Sequence, residues 1–428
     1  MRAQAILNTK TFIRRMEPQL QAPDEALNTC IIIPCYDEVN LIRTLDSLAR
    51  NLTFSGLVEV FVVLNDSVDD NIDIQKNNHN TYLSALKWAS AQTHDQLKFY
   101  CLDATRMPVN DAGVGLARKI GMDLAAQRLC SVQHPDGIIL NLDADCEVQT
   151  NYIQAVQHSF NGSKACQAAS IYFEHPLTRD LPEAEYVGII NYELFLRYYI
   201  RGLIYAGHPH AYHTLGSCMA VTAKRYLSEG GMNKRKAGED FYFLHKLIPL
   251  GKFRNIVATT IYPSSRPSHR VPFGTGKAIQ QWLDSTQKVY STYNPQIFND
   301  LKTFLEYIPH LWEINSSASL EIDSMPKSIQ DFLGQSEPGG FEKRLNEIKL
   351  NSTSLARFVS RFFRWFNGFR VLKYVHYARD HYYANMPIET VANTLLNSIQ
   401  YEKAEQNLSA FDLLMFYRDL DCTQPGKI

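Results

Sequence analysis

Residues 137–150 read GIILNLDADCEVQT, and this stretch narrows the choice of fold more than any other. The apolar run Ile138-Ile139-Leu140 leads directly to Asp143 and Asp145, as a buried strand does when it leaves a core and delivers carboxylates at its end. Residues two apart in an extended strand point to the same side, so this pair is able to share one cation. The alternative is an acidic strand exit with no ligand. Apolar residues before the carboxylates and polar ones after them point to the carboxyl edge of an α/β sheet, where ligands usually bind.

The sequence around this stretch repeats the pattern. Residues 30–34 (CIIIP) and 58–64 (VEVFVVL) read as strands that exit at Asp37 and Asp66, and 98–102 as a third strand. Leucines at 41, 45, 48 and 52 have helical spacing. Strand, helix, strand is a βαβ beginning, whose usual outcome is parallel strands covered by helices. Residues 71–94 are polar and read either as a long loop or as a surface helix. Residues 110–129 form a predicted helix in which Gly113, Gly115 and Ala117 permit close approach. It projects Arg118 and Lys119 either at a phosphate or simply into solvent. Asp37, Asp66 and the 143/145 pair should then share one sheet edge, a nucleotide-sized crevice. No GxGxxG follows the first strand and no Walker-type lysine loop is present, which disfavours a dinucleotide fold.

At 428 residues the chain exceeds a usual single core; we expect an arm over 1–28, a catalytic domain over 29–278 and a helical region over 279–428. Forty-three basic against forty-four acidic residues gives a formal charge of -1, so no global attraction to nucleic acid is expected. Eight scattered cysteines without short paired spacing argue against structural zinc and for a reducing compartment. The first thirty residues lack a long apolar run, so no secretory signal is expected. No stretch approaches about eighteen uninterrupted apolar residues, so neither is a transmembrane segment. The expected location is cytoplasmic, with the inner face of the membrane as its variant.

Further on, 167–173 reads as a strand and 181–205 as an aromatic-rich helix. His208, His210 and His213 suit structural or acceptor contacts better than zinc, whose closed sites have other spacings. Residues 215–221 read as a strand, in which Gly216 lets substrate come close. The basic run 233–236 is either a solvated loop or a lid over an anion. Glu239 and Asp240 open the apolar helix 241–250, where acidic groups commonly cap free N–H groups. Residues 262–277 form a predicted loop carrying Arg266, His269, Arg270 and Lys277, which either folds over phosphate or carries incidental surface charge. From 279 onward the pattern is mostly helical. Within 355–383, Arg357, Arg361, Arg364, Arg370, Lys373 and Arg379 interleave with Phe358, Phe362, Phe363, Trp365, Phe366 and Phe369. Such a helix either docks its aromatic face on the catalytic domain or makes peripheral contact with an anionic membrane.

Taken in order, several motifs resemble GT-A glycosyltransferases of family 2: Pro34, Tyr36, Asp37 and Glu38; the Asp66 loop; Gly115, Ala117, Arg118 and Gly121; Asp143-Ala144-Asp145; 216–220; and Gly238-Glu239-Asp240. The resemblance spans roughly residues 29–270. It implies an α/β fold of the Rossmann-like nucleotide-diphospho-sugar transferase type, a mixed sheet flanked by helices, followed by a mostly helical C-terminal region. By the same resemblance the donor is a nucleoside-diphosphate sugar (UDP or GDP), with Pro34, Tyr36, Asp37, Glu38 and Asp66 at the nucleoside. Asp240 is the implied base in an inverting displacement, with Glu239 as a positioning or alternative carboxylate. Mg2+ or Mn2+ on Asp143 and Asp145, with His269 as a further ligand, would neutralise the diphosphate. Arg118, Arg266, Arg270 and Lys277 would complement the phosphates. The acceptor is a saccharide, a small molecule or a lipid-linked hydroxyl compound. The alternatives are a nucleotidyltransferase that makes the sugar nucleotide, and a non-catalytic sugar-nucleotide or polysaccharide-binding protein.

Overall fold

The computed structural model describes residues 20–178, 181–235, 237–268, 274–313, 324–335, 340–399 and 407–425. β1 (Leu27–Cys35) leads through α1 (Leu41–Ala49), β2 (Leu57–Ser67), α2 (Ile72–Ser90) and β3 (Leu97–Met107) to α3 (Val114–Ser131). β4 (Ile138–Asn141), β5 (Glu147–Val148), α4 (Tyr152–Phe160) and β6 (Ala168–Phe173) follow. α5 (Glu183–Tyr205) precedes β7 (Met219–Thr222), α6 (Ala223–Ser228), α7 (Glu239–Leu247) and β8 (Phe253–Tyr262). Next come α8 (Thr275–Asp284), β9 (Ser291–Thr292), α9 (Gln296–Glu313), α10 (Lys327–Gln335), α11 (Gly340–Leu350), α12 (Leu355–Trp365) and α13 (Gly368–His381). β10 (Met386–Pro387), α14 (Ile388–Ser398) and α15 (Ala410–Thr423) complete the series.

Two compact units result: Met1–Pro176 with Thr214–Ser265, and Leu177–His213 with Arg266–Ile428. The first holds a sheet in the order β3-β2-β1-β4-β7-β6-β8-β5. β3, β2, β1 and β4 are parallel, whereas β7 runs antiparallel to β4. This is the mixed, helix-flanked sheet implied by the family resemblance. Its parallel half brings the exits of β1, β2 and β4 to one edge. β1 and β2 are buried along almost their whole lengths, as a strand covered on both faces must be. α3 packs close because it carries glycine: a Cβ on Gly121 would stand 2.4 Å from Ile32 Cγ2. Arg128 of α3 also bonds both oxygens of Glu59 on β2, at 2.6 and 2.5 Å, a buried bidentate pair inside an otherwise apolar strand. Residues 71–94 resolve as the helix α2, whose first turn is capped by Asn71 accepting the Asp73 N–H at 2.9 Å.

The second unit is helical and has its own core, including Leu194, Tyr198, Phe298, Phe304, Phe358, Phe362 and Tyr417. Its extent differs from the boundary expected at 278/279, because α5 belongs to it. The reason is a buried ion network. Glu193 of α5 accepts from Arg418 of α15 at 2.8 and 2.9 Å. Arg197 and Arg201 of α5 donate to Asp421 of α15 at 2.5 and 2.8 Å. Although burial opposes ionisation, the His213 hydrogen bond and the two arginines hold the Asp421 carboxyl well below the usual carboxylate range. Residues 275–277, expected in a loop, open α8 instead.

The three histidines also sit here. His208 Nε2 is 3.1 Å from the Phe366 carbonyl and its ring packs on Phe363. Burial lowers His210 to about 4. These are structural contacts. The aromatic face of α12 packs on Phe304 and Trp312 of α9, within the helical unit rather than on the sheet. Among the described residues no helix is long and apolar enough to cross a membrane.

Removing one member of a buried ion pair strands its partners, at a cost of about 3–5 kcal/mol. Asp421→Ala should therefore lower the urea midpoint of the helical unit, followed by circular dichroism. Asp380→Ala, whose side chain is 53% exposed on α13, should leave that midpoint in place.

Candidate active site

At the carboxyl edge of the parallel strands one side chain gathers the others. Arg118, in the first turns of α3, is 4% exposed. Its Nη2 lies 2.5 Å from Asp143 Oδ1 at the exit of β4, and its Nη1 bonds Glu239 in the first turn of α7. Asp240 Oδ2 is 4.0 Å away. Burial works against the charge, but Asp143, Glu239 and Asp240 hold the guanidinium protonated well above its ordinary value.

Gly216 makes this clamp possible. A Cβ there would lie 2.3–2.4 Å from three guanidinium atoms of Arg118, so any side chain would displace the arginine. Gly238, at φ +71°, takes the left-handed turn that starts α7 and delivers Glu239 and Asp240 together. The Phe241 N–H donates to Asp240 Oδ1 at 2.7 Å. Burial raises the Glu239 and Asp240 carboxyls above the usual range, against the opposing pull of Arg118.

The expectation of a cation projected at phosphate or solvent does not describe the immediate surroundings of either α3 cation. Arg118 is taken up by carboxylates. Lys119 is buried and reaches Asp123 at 2.9 Å, which also accepts from the Tyr226 hydroxyl at 2.5 Å. In the 233–236 run, Lys234 Nζ lies 3.3 Å from Asp111 and Arg235 stacks 3.8 Å over Tyr242.

A second cluster forms at the exits of β1 and β2. Pro34 is buried at the end of β1, and Asp37 follows at φ +50°. Asn78 of α2 accepts from the Asp37 N–H at 2.8 Å and donates to Asp66 at 3.0 Å. Asn77 donates to Asp37 at 2.6 Å. Asp66, 2% exposed, also accepts the Arg106 N–H at 2.5 Å. Glu38 is buried and accepts the Asn40 N–H at 2.8 Å. Burial, reinforced by Asp70 and by a hydrogen bond to it, pushes the Tyr36 phenol up to about 12. Thus α2, legible only as polar sequence, supplies the braces for both acidic exits. Asn141 is a further residue that sequence reasoning passes over. Two positions before Asp143, it is fully buried with neither amide atom hydrogen-bonded among the described residues. Such a group costs about 1–3 kcal/mol, and functional sites are where that cost is commonly carried.

Arg266 and Lys277 belong to the helical unit. His269 and Arg270 lie outside the described residues.

The implied divalent ion can be tested against these side chains. Among the described residues no group of three His, Cys, Asp or Glu side chains is arranged to hold a metal. Asp143 and Asp145 nevertheless offer hard carboxylate oxygens, and the Asp143 side chain is 38% exposed. Mg2+-type sites commonly use one or two carboxylates and complete their shell with water and substrate phosphate oxygens. The donor set fits such an ion.

Residues 30–221 match the family model described as Glycosyl transferase family 2. The chain carries a family 2 glycosyl transferase domain. This glycosyl transferase domain accounts for the mixed sheet and makes the protein an enzyme of the sugar-transferring class. It favours transfer over the nucleotidyltransferase and binding-protein alternatives. No curated protein matches the sequence. Among solved structures, S. aureus TarS 1-349 in complex with UDP-GlcNAc is 15% identical, at a TM-score of 0.40, over 83% of this chain and 91% of that one. Glucosyl-3-phosphoglycerate synthase from Mycobacterium tuberculosis, with Mn2+, UDP and glucosyl-3-phosphoglycerate, is 13% identical at 0.33, over 62% and 84%. Mannosyltransferase PcManGT from Pyrobaculum calidifontis, with GDP-Man and Mn2+, is 13% identical at 0.31, over 100% and 96%. Likeness at this level leaves donor and acceptor unassigned.

Arg118→Met should destabilise the transferase unit by about 3–5 kcal/mol at neutral pH, because Glu239 stays buried without its cation. A carboxyl whose folded pKa is raised disfavours folding only above its unfolded value, about 4.3. The deficit relative to wild type should therefore shrink as pH falls from the raised folded value of Glu239 towards that unfolded value. Denaturant midpoints of both proteins between pH 4 and 7 check this; a constant deficit would contradict it.

Proposed function

We propose that the protein transfers a sugar from a nucleoside-diphosphate sugar (UDP or GDP) to an acceptor hydroxyl, with inversion at the anomeric carbon. The observation that carries this reading is the convergence of Asp143, Glu239 and Asp240 on Arg118 at the carboxyl edge of the sheet.

In this reading Asp240 accepts the proton of the acceptor hydroxyl while that oxygen attacks the anomeric carbon and the bond to the diphosphate breaks. Its raised carboxyl pKa suits a group that must take up a proton in the transition state. Glu239 and Arg118 fix its position. Asp37, braced through α2, and Tyr36 hold the nucleoside, with Pro34, Glu38 and Asp66 shaping that end. Asp143, Glu239 and Asp240 set three carboxylates against the one guanidinium of Arg118, an imbalance that favours a divalent cation. When bound to Asp143 and Asp145, Mg2+ or Mn2+ supplies charge stabilisation for the departing diphosphate. His269, Arg266, Arg270 and Lys277 are the proposed contributions of the 262–277 segment. The acceptor is a saccharide, a small molecule or a lipid-linked compound. The proposed location is the cytoplasm or its membrane face.

Thermal stabilisation across a panel of sugar nucleotides, each with and without Mn2+, identifies the donor. Asp240→Asn should retain donor-induced stabilisation and lose at least about 10²-fold in transfer, the low end for a positioned base. Wild-type turnover by this variant would remove Asp240 from the role. Asp143→Ala/Asp145→Ala should abolish the Mn2+-dependent part of the stabilisation; an unchanged metal dependence would rule out the pair.

A further inference from the structure

One charged surface of the helical unit is not used by this chemistry. From Leu350 to Arg379 the sequence holds Arg357, Arg361, Arg364, Arg370, Lys373 and Arg379 and not one Asp or Glu, in a chain whose formal charge is -1. α12 sorts these residues. Phe358, Phe362 and Phe363 face the core, while Arg357, Arg361 and Arg364 are exposed. At helical spacing the three lie within about 60° of arc and about 10 Å of rise. Among the described residues none of the three has a carboxylate within ion-pair distance. The cations nearby in sequence differ: Arg370 stacks 4.4 Å over Trp365, and Arg379 bonds Asp380 at 2.7 Å.

A stripe of three unpaired arginines repels itself and gains from any dense anionic surface. Its surroundings favour a bilayer over a soluble polyanion. Leu350 is 88% exposed and Leu355 41% exposed, so apolar side chains stand at the N-terminal end of the stripe. Because the aromatic face is already occupied by the core, insertion of an amphipathic helix is not available. Contact must be electrostatic, with leucines at most dipping into the interface.

We propose that the exposed Arg357/Arg361/Arg364 face of α12 docks the protein on an anionic lipid surface. The attachment is peripheral and reversible, and it stands independently of the sugar-transfer reading. Each cation near such a surface raises binding about fivefold, so three charge reversals should weaken it by about 10²-fold or more.

The test is flotation of the full chain with phosphatidylcholine vesicles containing or lacking phosphatidylglycerol, with no donor or acceptor present. Wild type should float with the anionic vesicles only, and should be released at about 0.5 M salt as screening shortens the range of the charges. R357E/R361E/R364E should lose binding with circular dichroism and melting unchanged. K76E/K87E/K164E makes the same charge change at exposed lysines of the other unit and should float as wild type does. If the triple reversal disturbs folding, R357Q/R361Q/R364Q takes its place and should weaken binding by a smaller factor. The proposal is overturned by failure of wild type to float, by equal flotation on neutral vesicles, by equal loss in the lysine control, or by tight retention on heparin without vesicle binding.

Discussion

A single buried guanidinium organises the carboxyl edge of this protein's sheet. Arg118 comes from α3, Asp143 from the end of β4, and Glu239 and Asp240 from the start of α7. Three segments distant in sequence are thereby fixed around one positive charge. A buried arginine without partners would be prohibitively costly, as would Glu239 without its cation, so each makes the other admissible. Two glycines complete the arrangement. Gly216 has no side chain where the guanidinium lies, and Gly238 turns the chain into α7. Preorganisation of this kind is what a transferase needs, since charge must be met where it develops with little rearrangement.

Much of the sheet was legible from residues alone. The strands of the parallel half are unbroken apolar runs ending in acidic exits, and a βαβ order admits few arrangements. The sharing of one edge by Asp37, Asp66 and Asp143 follows from parallel topology without any knowledge of contacts. What was not legible depended on pairings across large sequence separations. Arg118 looks like a solvated cation until Glu239 is brought to it. Asn77 and Asn78 look like ordinary polar surface of α2, yet they brace two exits. α5 reads as one more aromatic helix of the catalytic region, but its Glu193, Arg197 and Arg201 find their partners on α15, more than two hundred residues away.

The helical unit shows how composition can mislead about environment. Its aromatic-basic segment divides along a helix axis. The rings fill a core with Phe304 and Trp312, and the arginines remain outside. Helical periodicity separates the two faces correctly, but it does not say what covers the aromatic one. The histidines of 208–213 follow the same rule: His208 and His210 are absorbed into packing and a backbone contact, His213 into its bond with Asp421, and burial suppresses the charge of His210.

The most direct measurement of the central claim is a crystal structure of the protein with Mn2+ and UDP or GDP, located by anomalous scattering from manganese. The account predicts a manganese peak bridging the diphosphate and the Asp143/Asp145 pair, with Arg118 still engaged to Glu239 and the nucleoside beside Asp37. A nucleotide bound elsewhere, or a manganese peak with no carboxylate of that pair in its shell, would contradict it.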